Sequence, residues 1–463
     1  MADDSRLGDA LLGPVGTRAA PGSRWIAWGG AYVVLAAFPV LAGLGRLGYC
    51  LRHGWVGNLP FYRQCYSDLA GAVPLAGIGK GLAAYLTGAV PLDQPVLTGM
   101  VMSGLGGLAS AITGDPIGLP TQRVFILFWA MLAMVGLAVM GWLVARMPGH
   151  PGARPLAVLL SPVAALTVLL APDVLGVTLC TLGIWLWLTR RPVLAGFTLG
   201  AAIMSISYPL IVVFVAVLCS LRGGEAPEPV ARQRERVRLG AGLAVGVLMC
   251  ILPALSAPGV LTQAWATWFT ASTGLGSLWH IPAMAGLAVP AEAATTLAVV
   301  GWAVAGVLAA VLVLGQQTPP PLGAVLLVAV AVVLVTGKSF AVQSSLWLVP
   351  LVALAGLRWR DILWWWAAEV AHFVAVWLYV GGVQGDPNRG LPAGWYAVFV
   401  LLRVAAVAWL AWSAWSTRPD AAPAPQAPRF RDPPENVAKP REPSGVYPGF
   451  RGVTDPQPGP ESQ

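Results

Sequence analysis

Apolar runs dominate the chain from Trp25 to Trp415, built from Ala, Leu, Val, Gly and Trp and separated by short polar breaks. A bilayer core about 30 Å thick needs roughly 20 apolar residues per crossing helix, and runs of that kind recur throughout this region. Alternation with a period of two, the mark of a lipid-facing barrel strand, is absent. In hydrocarbon only helices and closed barrels satisfy their own backbone groups, so the pattern predicts an all-α, polytopic helical membrane protein with about twelve transmembrane helices.

Positive residues in short loops favour the cytoplasm, and the register of the spans follows from putting those loops on one side. Residues 222–238 (RGGEAPEPVARQRERVR), the run Arg358, Trp359, Arg360 and the pair Arg190 and Arg191 all fall inside if the spans are 25–45, 124–145, 155–171, 174–188, 192–206, 208–221, 239–255, 296–315, 322–337, 343–356, 362–381 and 392–413. Both termini are then cytoplasmic, in a multi-pass protein of the plasma membrane. Residues 1–24 form a cytoplasmic segment, 25–415 the membrane domain and 416–463 a Pro-rich cytoplasmic tail that cannot bury a core and is expected to be disordered. Two outer loops, 46–123 and 256–294, are long, apolar and aromatic, and are expected to be ordered. Within the first, the Gly-rich run 96–112 is expected to re-enter or lie at the interface; if it spanned, 192–221 would become one long helix and Arg190 and Arg191 would move outside.

Composition agrees: 57% of residues are hydrophobic and 10% charged, with a mean hydropathy of +0.71, whereas a soluble domain carries about 25% charged residues. The 54 Gly and 21 Trp suit close helix approach and interfacial anchoring. The formal charge of +8 is spread over many short loops, which reads as topology and not as a nucleic-acid footprint. The first apolar run is too long for a cleaved signal. Cys180, Cys219 and Cys250 lie in apolar runs, whereas Cys50 and Cys65 flank a polar stretch and are the pair placed to form a disulfide. Closing a loop of about 15 residues would contribute roughly 3 kcal/mol in an oxidising compartment.

Ionisable groups in or beside apolar runs are costly and are therefore functional candidates. On the outer side they are Asp68, Asp93, Asp173 and Lys338, with Arg52, Arg63, Lys80 and His280 in the same loops or nearby. Asp173 in LLAPDVLGVTL and Asp68 in QCYSDLAGAVP have a structural reading as helix caps. Lys338 has one as a snorkelling lysine. Glu369 and His372, one turn apart in WWWAAEVAHFVAVWLYV, read as a buried structural pair. Metal-ligand spacings, a P-loop and a dinucleotide-binding glycine pattern are absent, so neither a metal nor a cofactor is expected.

Six segments, in order, carry a resemblance: CYSDLAGA at 65–72, DQPVLTG at 93–99, SPVAALTVLLAPD at 161–173, GFTLGAAIMSISYPL at 196–210, GSLWH at 276–280 and GKSFAVQSSLWLVPL at 337–351. Their order over most of the chain from Cys50 to Trp412 resembles the actinobacterial membrane glycosyltransferases of family 87, in the GT-C superfamily, as a divergent member. That resemblance implies inverting transfer of a mannose or pentose from a polyprenyl-phosphate carrier to a cell-envelope glycan or lipid on the outer face. By the same resemblance Asp68 would be the catalytic base, with Asp93 and Asp173 beside it at the acceptor. Lys338 with Arg52 or Arg63 would hold the donor phosphate, and Trp279, His280, Tyr208 and Gln343 would line the groove. The chain departs from the family at Ile206, where a Lys is usual, at Ala171 and Pro172, where the family has Asn-Trp, and at Ala341 and Val342, where Ser-Pro is expected. A relative that kept the fold and serves as a non-catalytic scaffold or carrier-binding protein is the alternative, with a transporter behind it, since the polar residues gather at one face and not at mid-membrane.

Overall fold

The computed structural model describes residues 21–148, 154–222, 229–316 and 320–416. The expected tail from residue 417 and the first twenty residues lie outside them. Every described element is helical. In chain order they are α1 (Pro21–His53), α2 (Leu59–Tyr62), α3 (Asp68–Ala76), α4 (Leu82–Leu86), α5 (Val96–Thr113), α6 (Leu119–Ala145), α7 (Leu156–Leu159), α8 (Pro162–Thr167), α9 (Val174–Leu188) and α10 (Pro192–Ile203). There follow α11 (Pro209–Leu221), α12 (Pro229–Ile251), α13 (Pro258–Thr270), α14 (His280–Met284), α15 (Ala291–Leu314), α16 (Leu322–Thr336), α17 (Leu348–Ala355), α18 (Trp359–Gln384) and α19 (Ala393–Ser416), with short 3₁₀ turns between some of them.

Among the described residues, 7 helices are long and apolar enough to cross a membrane: Gly30–His53, Val96–Thr113, Leu119–Ala145, Gln233–Ala254, Ala291–Leu314, Trp359–Gln384 and Ala393–Ser416. Six of these overlap expected spans, and the seventh is α5. The remaining expected spans are shorter apolar stretches, Leu156–Thr167, Val174–Leu188, Pro192–Ile203, Pro209–Leu221, Leu322–Thr336 and Val342–Ala355. Proline explains several of the breaks. Pro162, Pro192 and Pro209 each occupy the first turn of their helix, where the missing N–H costs nothing, but each prevents the preceding segment from running on.

Three local features differ from the sequence pattern or sharpen it. α1 does not stop at Gly45 but continues to His53, so Arg46, Cys50 and Arg52 stand on a helix and not in a loop. Cys50 is joined by a disulfide to Cys65, with the two Cα atoms 5.9 Å apart. Both ends of α5 are tied to neighbouring segments. The Leu97 N–H donates to the Met204 carbonyl at 2.9 Å and the Thr98 hydroxyl to the Ser205 carbonyl at 3.1 Å. At the other end Thr113 pairs with Thr121 at the start of α6, where Arg123 donates to the carbonyls of Leu51 and Arg52.

α10 and α12 meet backbone to backbone. A Cβ on Gly196 or Gly242 would collide with the carbonyl oxygens of Leu239 and Val193, and one on Gly200 or Gly246 with those of Leu243 and Phe197. Two small-xxx-small motifs therefore face each other, the device that lets membrane helices gain dispersion contact where lipid offers no hydrophobic drive. A Gly242→Leu variant is expected to lose about 1–3 kcal/mol or more through this overpacking; an unchanged melting temperature in detergent would show that the approach is not needed.

α16 sits at the centre. It is apolar all round and buried on every face, from Gly323 to Leu334, against α15, α17 and α19. Its C-terminal end leads into the turn that carries Lys338.

Candidate functional site

The segment carrying Asp68 is fixed from three directions. Ser67 caps α3, its hydroxyl accepting from the Ala70 N–H at 3.4 Å and donating to the Leu169 carbonyl at 2.6 Å. The Asp68 N–H donates to the Leu170 carbonyl at 2.8 Å, which joins α3 to the link between α8 and α9. From α1, Arg46 Nη1 donates to the carbonyls of Gln64 at 2.9 Å and Tyr66 at 3.1 Å. Trp55 Nε1 donates to the Cys65 carbonyl at 2.9 Å, beside the disulfide. Asp68 is thus the first helical residue and not the cap. Its Oδ1 accepts from the Tyr66 hydroxyl at 2.7 Å, and the Tyr66 ring is stacked against Phe61 and Trp377.

Asp173 precedes α9 but makes no capping hydrogen bond with its side chain. Its Oδ2 instead accepts from Trp347 Nε1 at 2.6 Å, and Tyr208 stacks on the far side of Trp347 with ring centroids 5.3 Å apart. Asp93 is exposed and accepts from the Thr267 hydroxyl of α13 at 3.2 Å. Lys338 is buried; its Nζ donates to the Ala271 carbonyl at 3.0 Å and the Thr295 hydroxyl at 2.9 Å, and lies 4.3 Å from the Trp268 ring centroid.

Asp68, Asp93, Asp173, Lys338 and Gln343 all line one cavity of about 500 Å³. Ser205, Ser207, Ser339 and Ser344 add hydroxyls at its polar end, and Leu210, Trp265, Trp268, Trp302, Val333 and Leu334 form an apolar and aromatic wall. A cleft with an apolar body and a few converging polar groups is the usual form of a small-molecule site. Burial raises the Asp68 carboxyl above its ordinary range, and the Tyr66 hydrogen bond offsets part of that rise. Burial pushes Asp173 up to about 6, the Asp68 charge adds to the rise, and the Trp347 hydrogen bond opposes it. The charge on Asp68 therefore makes Asp173 harder to ionise. Burial lowers the Lys338 ammonium.

Five residues expected at the site stand elsewhere. Arg52 lies six residues beyond Arg46 on α1, about 9 Å further along the helix, and its side chain is exposed. Arg63 is exposed, its guanidinium 5.0 Å from the Tyr49 ring centroid. Trp279 donates through Nε1 to the Thr336 carbonyl at 2.9 Å, and the His280 ring is 3.4 Å from the Thr273 hydroxyl, so both brace the loop that backs Lys338. Tyr208 supports Trp347 from behind and does not reach the cavity wall.

Glu369 pairs with Arg403 and not with His372. Arg403 Nε donates to Glu369 Oε2 at 2.9 Å, both groups being buried, while Trp365 Nε1 donates to Oε1 at 3.0 Å. The same guanidinium donates to the carbonyls of Phe340 at 2.5 Å and Ala341 at 3.1 Å and to the Ser345 hydroxyl at 2.6 Å, so one arginine of α19 holds the turn between Lys338 and Gln343. Both ring nitrogens of His372 are buried without a hydrogen-bond partner among the described residues. Arg403 was legible as a lone charge in FVLLRVAAVAW, where an intramembrane ion is costly unless paired. Arg46 and the tryptophans of α13 and α15 carried no comparable signal.

Comparison with protein-family models, with curated proteins and with solved structures finds no match to the chain.

Proposed function

We propose that the cavity is the reaction site of a membrane glycosyltransferase that moves a mannose or pentose from a polyprenyl-phosphate carrier to a glycan or lipid acceptor of the cell envelope. The observation that carries this reading is the meeting of Asp68 and Asp173, from sequence-distant segments, with Lys338 and Gln343 around one space of about 500 Å³. In the proposed step the Asp68 carboxylate takes the proton of the acceptor hydroxyl, the acceptor oxygen bonds to the anomeric carbon, and the carbon–oxygen bond to the carrier phosphate breaks with its electron pair leaving on phosphate. A buried carboxylate with a raised pKa is a stronger base than an exposed one, and Lys338 would face the charge that develops on the leaving phosphate. In this reading the chain crosses the plasma membrane about twelve times, with both termini cytoplasmic, the cavity at the outer end and α5 remaining on that side. No cofactor enters the step.

One observation favours the second reading, a relative that binds carrier lipid without transfer. Lys338 is the sole cation among the described cavity-lining residues, and its ammonium is already shared between a carbonyl, a hydroxyl and the Trp268 ring. The two readings part in one assay, the incorporation of label from radiolabelled polyprenyl-phosphate mannose and arabinose into membranes holding either the wild-type chain or Asp68→Asn at equal expression. Label that depends on Asp68 supports transfer; equal labelling by both chains moves the reading to the non-catalytic relative.

The raised Asp68 carboxyl gives a pH prediction whose sign is fixed. A base works when ionised, so transfer is present above the Asp68 pKa and is lost as pH falls through it. Burial raises Asp68 and the Tyr66 hydrogen bond lowers it, so a Tyr66→Phe substitution, which removes that bond, makes Asp68 harder to ionise and should move the acid limb of the rate profile to higher pH. An acid limb that stays in place or moves to lower pH would show that the Tyr66 hydroxyl does not hold the ionised Asp68.

A further inference from the structure

The end of the bundle away from the cavity has a different chemistry. Ile203, at the C-terminal end of α10, lines the cavity, whereas Arg190 and Arg191 stand just before the opposite end of that helix. Arg190 holds its backbone in the left-handed region, φ 61°, where glycine is the ordinary residue after a helix. Its guanidinium reaches Glu235 of α12 at 3.5 Å. One turn apart on α12, Arg234 and Arg238 are exposed, and among the described residues neither has a carboxylate within salt-bridge distance. A depression of about 410 Å³ lies over Gln233, Arg234, Val237 and Arg238.

At about 100° per residue, Arg234 and Arg238 share one stripe with Val237, Ala241, Val245, Leu248 and Leu252, all of them exposed. Leu239, Gly242 and Gly246 turn the other way, against α10. An exposed aliphatic stripe about four turns long that ends in two arginines has the polarity of a single lipid, with chains along the helix and an anionic headgroup at the guanidinium pair. We propose that this face of α12 is a binding site for an anionic phospholipid, with the phosphate between Arg234 and Arg238. Clusters of arginine beside a membrane helix attract anionic headgroups in this way, each at a gain of about fivefold in affinity. The site does not depend on what the cavity does.

The test is made on the full-length chain in a non-ionic detergent. It is titrated with dioleoylphosphatidylglycerol and, separately, with dioleoylphosphatidylcholine, and the lipid-bound fraction is read by native mass spectrometry. Phosphatidylglycerol should be retained in preference, and Arg234→Gln with Arg238→Gln should raise its apparent Kd by about 25-fold while leaving phosphatidylcholine unchanged. The control pair Arg358→Gln with Arg360→Gln, which removes the same charge at the start of α18, should bind as wild type does. Single substitutions, each expected to weaken binding about fivefold, keep the test decisive should the double variant fold poorly. Equal binding of the two lipids by wild type, or an equal loss in both double variants, overturns the proposal.

Discussion

Asp68→Asn is expected to reduce sugar transfer by about 10²- to 10⁴-fold, the range that general-base catalysis supplies, with little change in melting temperature. The substitution keeps the shape of the side chain, and an Asn Oδ1 can still accept from the Tyr66 hydroxyl that holds Asp68 Oδ1 at 2.7 Å. The Leu170 carbonyl that fixes the segment bonds to the main chain, so the position of residue 68 is preserved as well. What is lost is the negative charge that accepts the acceptor's proton. The effect should fall on the maximal rate more than on donor affinity, because in the proposed step proton removal accompanies bond making. Rates of label transfer at saturating donor, with melting followed in the same detergent, measure both. Transfer by the Asn variant at the wild-type rate would rule out Asp68 as the base.

The second large effect is expected at Arg403, which does not touch the cavity. Arg403→Met leaves Glu369 as an unpaired buried carboxylate and strips the carbonyls of Phe340 and Ala341 and the Ser345 hydroxyl of their donor. Breaking a buried ion pair by removing one partner costs about 3–5 kcal/mol, because the remaining charge stays desolvated. The variant should melt well below wild type in detergent. Adding Glu369→Met should recover much of that loss, since a pair of apolar side chains leaves no buried charge. The turn between Lys338 and Gln343 stays unsupported in the double variant, and its transfer activity should remain low even where its stability returns. An Arg403→Met chain that melts with wild type would show that the pair does not hold this turn.

The sequence carried the all-helical membrane character and the isolated polar residues for a physical reason: water, lipid and buried charge impose composition directly. Asp68, Asp93, Asp173 and Lys338 were visible as isolated polar positions between apolar runs, Gln343 only through the resemblance, and all five share one cavity. The extent of α1 was not visible, because Arg46, Cys50 and Arg52 look like the start of a loop when read along the chain, yet nothing there interrupts helical hydrogen bonding. That one difference removes Arg52 from the site and introduces Arg46, whose role depends on reaching across to the carbonyls of Gln64 and Tyr66. Trp279 and His280 were chosen as aromatic groups in the right loop, but loop membership does not specify which way a ring turns. The pairing of Glu369 followed the same logic: residues one turn apart on a helix are neighbours, yet a guanidinium from the next helix is the stronger partner for a buried carboxylate.

The central position of α16 has a consequence for how the protein meets membranes of different thickness. Lipid-facing helices such as α1, α15 and α19 present Val34, Phe38, Leu41, Val307, Leu401 and Trp412 outward, so a thicker or thinner bilayer acts on them through tilt and mismatch. α16, 15 residues long and shielded on every side, is matched to protein and not to lipid. Because it supplies Val333 and Leu334 to the cavity wall and leads to Lys338, that part of the wall is set by protein packing, while the α15 side, which supplies Trp302, stays open to the pull of the bilayer.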